Sequence, residues 1–253
     1  MRGVWTWILR IIMEYEKKID LYSDGIGSVE YVQHMGDDLT IVNAARISFN
    51  RQKEELDEKD LKLVKYLAEH KHTSTFEHNV ITLKFTVPLF VRSQHHRHRT
   101  WSYNEKSGRY LDLTDPRHQA QFYEPTQFRT QHATNRQASN PGEMINPMIH
   151  NDLKTGFERV SAAYRRHNVR SVELYQKMLK SGVCKEQARS VLPQSMYTSY
   201  IGTTNLSNLL KFIDLRIHEG AQWEIQKVAE ACLEIARDLW PTAVESFRNN
   251  LHT

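Results

Sequence analysis

The clearest hydrophobic pattern in the chain is an alternation of period 2 in VITLKFTVPLF, residues 80–90. Apolar residues occupy every second position from Ile81 to Val87, and Thr or Lys stands between them. This spacing predicts a strand with one buried face, and Pro88 is typical of a strand end. A second segment, SMYTSYIGTT at 195–204, is rich in β-branched and aromatic residues and also predicts a strand.

Helical spacing accounts for most of the remaining chain. Asp37 and Asp38 precede LTIVNAARISF as candidate caps of a first helix, and apolar residues at helical spacing predict a second helix near 57–70. From residue 151 the chain turns helical, and Ser181-Gly182 ends this helix with a glycine C-cap.

The last third of the chain predicts three further helices. KEQARSVLP, residues 185–193, indicates a short helix that stops near its proline. Asn205 is the candidate cap of a helix rich in Leu and Ile. Gly220 interrupts that helix, and a final long helix runs to Leu239, before Pro241.

Two segments lack a clear period. Residues 113–150 are rich in Gln, Asn, Pro and His and predict a long irregular insertion, in which short strands are left open. Residues 1–17 form an N-terminal extension whose apolar part, Met1–Met13, is shorter than the roughly 20 residues that span a bilayer. No repeat or linker divides residues 18–253, so we expect a single α+β domain, with a mostly antiparallel sheet packed with long helices.

Composition narrows the class of protein. Of 253 residues, 40% are hydrophobic and 25% are charged, as in globular proteins with a buried core. The net charge of +4 suits small phosphorylated ligands better than a long nucleic acid. The two cysteines, Cys184 and Cys232, form no CxxC pair, and no secretory leader is recognisable, so we expect a reducing, cytoplasmic location.

The chemistry is concentrated in residues 94–110, QHHRHRTWSYNEKSGRY, directly after the first strand. This stretch holds three arginines, three histidines, one carboxylate and a Ser-Gly step. Arginine offers a planar fork of donors that matches phosphate oxygens, and glycine lets the backbone approach a ligand closely. These residues predict an anion site, although neither a Walker loop nor a GxGxxG turn is present.

Three interpretations of this segment do not require catalysis. The arginines could form a solvated surface cluster, or the segment could bind nucleic acid by stacking on Trp101 and Tyr103. The protein could also have no activity and share only its fold with an enzyme. The spacing of the three histidines lacks a closed tetrahedral ligand set, so we expect no metal site. Nothing marks Ser107 or either cysteine as a nucleophile.

The order of residues is more specific than their composition. Arg97-His98-Arg99, seven residues and Ser107 reproduce an RHR-x7-S signature, and the longer pattern SxNExSGRY is matched up to Tyr110. AARISF (44–49), HTSTFEH (72–78), ARSVLP (188–193), Asn205 and LRxxxxAQWEIQ (215–226) follow the same family in order. Over roughly residues 18–245 the chain thereby resembles the flavin-dependent thymidylate synthases.

This resemblance implies an enzyme that methylates dUMP to dTMP. It implies FAD as the cofactor, with NADPH and 5,10-methylene-tetrahydrofolate as co-substrates. It also implies a homotetramer with active sites at subunit interfaces, and no nucleic-acid or membrane partner.

The resemblance further assigns site residues. Those expected to contact the cofactor are His72, Ser74, Arg97, His98, Arg99, Glu105, Asn205, Leu206, Ser207 and Lys211. Those expected to contact the substrate are Gln94, His95, His96, Arg97, Glu105, Lys106, Ser107, Gly108, Arg109, Arg189 and Arg216. Arg216 is also the expected catalytic residue, facing the uracil ring. Two positions depart from the family pattern: His96 stands where an aromatic residue is frequent, and Ser207 where arginine is frequent.

Overall fold

A computed structural model describes residues 15–109, 115, 119–151, 153 and 156–249. The strands are β1 (Lys18–Asp20), β2 (Ser28–Met35), β3 (Val80–Pro88), β4 (Ser102–Glu105), β5 (Phe128–Gln131), β6 (Ser139–Ile145), β7 (Met148–His150), β8 (Phe157–Arg159) and β9 (Tyr197–Asn205). The α-helices are α1 (Asp38–Arg46), α2 (Glu58–Glu69), α3 (Leu89–His95), α4 (Val160–Lys180), α5 (Lys185–Ala188), α6 (Leu206–Ile217), α7 (Trp223–Leu239) and α8 (Pro241–Asn249). Short 3₁₀ turns occupy Ile47–Phe49, Thr73–Phe76 and Arg189–Val191.

An antiparallel sheet of five strands, in the order β1-β2-β3-β9-β4, forms the centre of the fold. The predicted strands at 80–90 and 195–204 are confirmed as β3 and β9, which pair along their whole length. The apolar positions of β3 from Ile81 to Val87 are fully buried. They share one core cluster with the apolar faces of α6 and α7. The α+β fold with a mostly antiparallel sheet is therefore confirmed.

The opposite face of the sheet is polar and partly open. Lys84, Ile201 and Asn104 lie side by side across β3, β9 and β4, and we call the surface around them the open sheet face. Ile201 is 43% exposed although β9 is an inner strand. Hydroxyl pairs flank it, with Thr82 and Thr203 oxygens 2.9 Å apart and Thr86 and Ser199 oxygens 3.0 Å apart.

Most predicted helices are confirmed, with small differences at their ends. Asp37 caps α1, Asn205 caps α6, and the long helix α7 ends at Leu239. The glycine after α4, Gly182, has the left-handed backbone expected of a C-cap (φ +86°). One further helix, α8, begins at Pro241, where proline suits the first helical turn.

The predicted helical start at residue 151 is wrong. Phe157–Arg159 form β8, which pairs with β7 as a hairpin, and α4 begins only at Val160. Phe157 is 70% exposed, so its helical spacing with later apolar residues does not reflect burial on a common face. Hydrogen bonds to β7 decide its conformation instead, as tertiary pairing commonly overrides local preference.

Two regions contain strands that the pattern did not predict. β1 and β2 fall in residues 18–35, where no element was assigned. The insertion 113–150, expected to be irregular with short strands left open, contains the short strands β5, β6 and β7. Little of β5 and none of β7 is deeply buried, so hydrophobic alternation is absent and only the hydrogen-bonded ladder reveals the strands. The N-terminal segment Met1–Met13 lies outside the described residues. Among those described, no helix is long and apolar enough to cross a membrane.

Candidate active site

The arginine-rich segment is held as a tight turn between α3 and β4. The backbone N–H of His98 donates to the carbonyl of His95 over 2.9 Å, closing the turn after α3. The Tyr103 hydroxyl, on β4, donates to the carbonyls of both His95 and His98, over 3.0 and 3.2 Å. Because β4 pairs with β9, these bonds anchor the RHR turn to the edge of the sheet.

The three histidines of the segment have different environments. His95 is fully buried, and its Nδ1 lies 2.7 Å from the Tyr200 hydroxyl; burial lowers the pKa of its ring. Its side chain packs against Phe85 and Trp101 and has no exposed surface, so we leave His95 out of the substrate site. The His96 ring stacks on Tyr103 with ring centres 4.1 Å apart, so it packs as the family's usual aromatic residue would.

His98 is joined to the far end of α6. Arg216 Nε donates to His98 Nε2 over 3.0 Å, which requires the neutral ring with its proton on Nδ1. Burial, and then the charge of Arg216, lower the pKa of His98 to about 4. Burial also lowers the pKa of Arg216, whose guanidinium nevertheless stays charged at neutral pH.

The simple structural explanation of Arg216, a salt bridge within its own segment, is not supported. In the described part of the chain, Arg216 forms no ion pair with Asp214, Glu219 or Glu224. Glu224 pairs instead with Arg129, over 2.7 Å. The charge of Arg216 is therefore available to a ligand, and so are the exposed guanidiniums of Arg97 and Arg99, for which the described residues supply no ion pair.

The second half of the signature lines an open cleft of about 700 Å³ that we call the anion cleft. Its wall includes Glu105, the loop from Lys106 to Arg109, and Arg189. Arg189 lies in a 3₁₀ turn far along the chain, yet its Cδ would be only 3.5 Å from a Cβ built on Gly108. The two distant segments of the cleft wall therefore meet at Gly108 and Arg189.

Glu105 and Glu186 are the carboxylates that line the anion cleft, and the neighbours of Glu105 hold it in place. Thr198 donates a hydrogen bond of 2.8 Å to Glu105 Oε1, and Arg92 Nε lies 3.2 Å from the same oxygen. Arg92 also lines the cleft, although it was not among the predicted site residues. Its position just before the arginine-rich segment, one helical turn before His96, was the available signal.

A smaller cavity of about 220 Å³ collects residues from the two other expected cofactor segments, and we call it the apolar cleft. Thr73 and Phe76 line it from one side and Ser207, Leu210 and Lys211 from the other. His72 and Ser74 are neighbours in sequence of its lining residue Thr73.

Two of the predicted cofactor residues have a role in the fold itself. Asn205 accepts a hydrogen bond from the Asn208 N–H over 2.9 Å and thereby caps α6. The Leu206 side chain is fully buried in the core. Because that side chain has no exposed surface, we leave Leu206 out of the cofactor site.

Several alternative chemistries lose support from the geometry. Trp101 is buried in the core and Tyr103 already stacks on His96, so neither offers a free ring to a nucleic-acid base. Cys232 is buried, which raises the pKa of its thiol, and neither Cys232 nor the exposed Cys184 lines the two clefts. Among the residues that the structure describes, no three His, Cys, Asp or Glu side chains are grouped to hold a metal ion.

Comparison with known proteins decides the family. The model of the family described as thymidylate synthase complementing protein matches residues 30–242. The chain belongs to this family. The predicted resemblance is thereby confirmed, and the match covers every described element from β3 to α7.

Individual family members agree with this assignment. A flavin-dependent thymidylate synthase of Thermus thermophilus is 39% identical over 225 residues, covering 89% of this chain and 77% of the relative. The Thermotoga neapolitana protein of the same name is 39% identical over 221 residues, covering 87% of this chain and 90% of the relative.

Solved structures agree as well. The crystal structure of PolB from Streptomyces cacaoi, described as a UMP/dUMP methylase bound with 5-Br UMP, superposes with a TM-score of 0.73. It is 32% identical in sequence, and the match covers 92% of this chain and 97% of that one.

Proposed function

We propose that this protein is a flavin-dependent thymidylate synthase, which methylates dUMP to dTMP with FAD as cofactor. NADPH and 5,10-methylene-tetrahydrofolate serve as its co-substrates. The observation that carries the proposal is the anion cleft, where the loop of the RHR-x7-S signature and the distant Arg189 form one wall. Family membership gives this cleft its chemistry.

The anion cleft binds the phosphate of dUMP. Ser107 offers a hydroxyl, Gly108 an approachable backbone, and Arg109, Arg189 and Lys106 positive charge. Ser107 acts as a phosphate ligand and not as a nucleophile, because no general base is identifiable beside it among the described residues. A relative of similar fold, PolB, was crystallised with bromo-UMP and bromo-dUMP, which supports a uridine nucleotide as the ligand.

The arginines of the RHR turn and the residues of the apolar cleft fit FAD. Arg97 and Arg99 present guanidiniums to solvent, which suit a diphosphate, and the wall of Phe76 and Leu210 in the apolar cleft suits a flat ring system. Ser207, Lys211, His72 and Ser74 add polar groups around that cleft. When bound, FAD would supply the reducing equivalents that convert the transferred methylene into a methyl group.

Arg216 acts on the pyrimidine. The neutral His98 accepts the hydrogen bond of Arg216 Nε, which holds the guanidinium in place and leaves its two Nη groups to meet a ligand. A fixed positive charge in a partly buried setting stabilises negative charge that develops on the uracil ring. Arg216 is therefore the catalytic residue of the proposal, and His98 positions it.

A homotetramer completes the active sites. The anion cleft and the apolar cleft share no lining residue, so one chain offers separate parts of a site. The open sheet face exposes Ile201 on an inner strand, where an aliphatic side chain favours burial against another copy. Contacts between copies across this face would bring the separate parts together.

The activity is tested with purified protein reconstituted with excess FAD. We expect conversion of dUMP to dTMP in the presence of NADPH and methylene-tetrahydrofolate, with tetrahydrofolate and not dihydrofolate as the product. Acid denaturation should release free FAD, because nothing proposed here binds it covalently. A Cys184→Ala, Cys232→Ala double variant should remain active, since neither thiol lines a cleft. Folded, FAD-loaded protein that makes no dTMP would refute the proposal.

A further inference from the structure

A chain of hydrogen-bonded polar side chains connects the hairpin β5–β6 with α3. Arg129, on β5, donates to Glu224 over 2.7 Å. Gln222 Nε2 donates to the other oxygen of Glu224 over 2.9 Å. Gln94 Nε2, on the last turn of α3, in turn donates to Gln222 Oε1. The insertion thereby reaches a predicted substrate residue three positions before the RHR turn.

The charge of Glu224 sets the direction of this chain of bonds. The residue is 3% exposed and its carboxylate receives three donors, from Arg129, Gln222 and the Tyr123 hydroxyl, the last over 3.1 Å. Glu224 also lies in the first turn of α7, where the helix dipole favours a negative charge. With donors on both of its oxygens, the Glu224 carboxylate only accepts hydrogen bonds.

Because Glu224 only accepts, it fixes the orientation of the side-chain amides of Gln222 and Gln94. Gln222 must turn its NH₂ group to Glu224, so its carbonyl oxygen faces Gln94. Gln94 must then turn its own NH₂ group to that oxygen. The carbonyl oxygen of Gln94 is thus the end of the amide that remains to meet a ligand, and that ligand group must be a hydrogen-bond donor.

We propose that Glu224 and Gln222 are positioning residues that fix the Gln94 amide so that its carbonyl oxygen accepts a hydrogen bond from the nucleotide. The donor is the N3–H of the pyrimidine or the 3′ hydroxyl of the deoxyribose, both of which dUMP carries. The ion pair between Arg129 and Glu224 gives the hairpin of the insertion a part in substrate recognition. This inference rests on the proposed function, because it takes dUMP as the ligand.

The test measures dUMP binding by calorimetry in FAD-loaded Glu224→Gln protein. The new amide keeps the shape of Glu224 but can also donate, so it no longer fixes the direction of the chain. We expect the dUMP Kd to rise about tenfold, the scale of one well-oriented hydrogen bond. Glu230→Gln is the matched control: it is the same change on the exposed side of α7, where Glu230 pairs with Lys227, and it should leave the Kd unchanged.

A double-mutant cycle separates positioning from general structural damage. If Glu224 acts through Gln94, Glu224→Gln should weaken binding in the wild-type background but add nothing to Gln94→Met. Gln222→Met breaks the chain while keeping the Arg129–Glu224 pair, so it serves if Glu224→Gln does not fold. Its expected result is the same loss of affinity, again absent in the Gln94→Met background.

Two analogues identify the donor. N3-methyl-dUMP lacks the ring donor and 2′,3′-dideoxyuridine monophosphate lacks the 3′ hydroxyl. Wild-type protein should discriminate against one of them, and Gln222→Met should lose that discrimination. If Gln222→Met binds dUMP with the affinity of the wild type, or if the losses in the cycle are additive, the inference is wrong while the proposed function stands. A wild-type protein that fails to bind dUMP would overturn the proposed function as well.

Discussion

At the scale of single residues, burial and the neighbouring Arg216 keep the ring of His98 neutral. The bond uses the lone pair of His98 Nε2, so a protonated imidazole would lose it and would also face a guanidinium. His98 and Arg216 belong to two separate sequence motifs, the RHR signature and the segment 215–226. Its role should be visible both in catalysis and in the response of stability to pH.

Arg216→Ala should separate the two half-reactions of the enzyme. If Arg216 stabilises charge on the pyrimidine, the variant stays folded, binds FAD, and is reduced by NADPH at a near-normal rate. Reoxidation by dUMP and methylene-tetrahydrofolate should slow by about 10²-fold, as for the loss of one well-placed donor. Stopped-flow absorbance measures both rates. Arg237→Ala, at an exposed arginine of α7, is the control; normal reoxidation in a stable Arg216→Ala protein would exclude the catalytic role.

His98 should make the stability of the apoprotein depend on pH. The folded state keeps the ring neutral down to its pKa of about 4, whereas in the unfolded chain the ring takes up a proton near its ordinary pKa of 6.5. Between these values the unfolded state binds more protons, so the free energy of unfolding falls as the pH is lowered from about 6.5 to about 4.

The pH prediction is checked with urea denaturation at about pH 7 and about pH 5, either side of the ordinary histidine pKa. His98→Gln keeps an acceptor for Arg216 Nε but does not titrate, so the variant should lose less stability than the wild type over this interval. The other histidines whose pKa is lowered by burial, His34, His95 and His96, are present in both proteins, so their burial affects both alike. Equal losses in the two proteins would contradict the assignment of His98.

At the scale of elements, the adjacent residues Asp37 and Asp38 cap two different helices. Asp37 Oδ1 accepts from the Thr40 N–H over 2.9 Å and completes a capping box on α1. The side chain of Asp38 turns away and accepts from the N–H groups of Thr242 and Ala243, over 2.8 and 3.1 Å, at the start of α8. The second cap is a tertiary contact that ties the C-terminal helix to α1.

The two caps should therefore differ in their effect on stability. Asp37→Ala should lower the free energy of unfolding by about 1 kcal/mol, the usual value of an exposed N-cap. Asp38→Ala should cost about 2 to 3 kcal/mol, because it leaves N–H donors at a buried helix start without an acceptor. Asp20→Ala, on exposed β1, should change little and is the control. Urea midpoints measure all three; an equal effect of the two cap variants would argue against the tertiary cap.

At the scale of the whole molecule, the prediction concerns assembly across the open sheet face. Light scattering after size exclusion should give the mass of a homotetramer. Ile201→Asp places a charge on that face, so we expect it to dissociate the tetramer and abolish dTMP formation, because a buried unpaired charge is costly. Ile201→Val keeps the apolar contact and should remain tetrameric and active. An active tetramer of Ile201→Asp would exclude this face from the interface.

Several parts of the fold and site could be predicted from the sequence because they depend on local order. The alternation around Phe85 predicts β3, since side chains point to opposite faces at every second residue. The cap at Asn205 and the apolar spacing after it predict α6 in the same way. The signature from Arg97 to Ser107 identified the family, because a run of specified residues leaves few alternatives.

Contacts between distant residues were decided by the tertiary structure alone. The approach of Arg189 to Gly108, the bond from Arg216 to His98, and the cap of α8 by Asp38 each join segments far apart in the chain. The strand at Phe157 and the burial of His95 likewise depend on neighbours that a local window does not contain. A sequence determines where runs of buried and polar residues begin and end, but packing determines which of them meet.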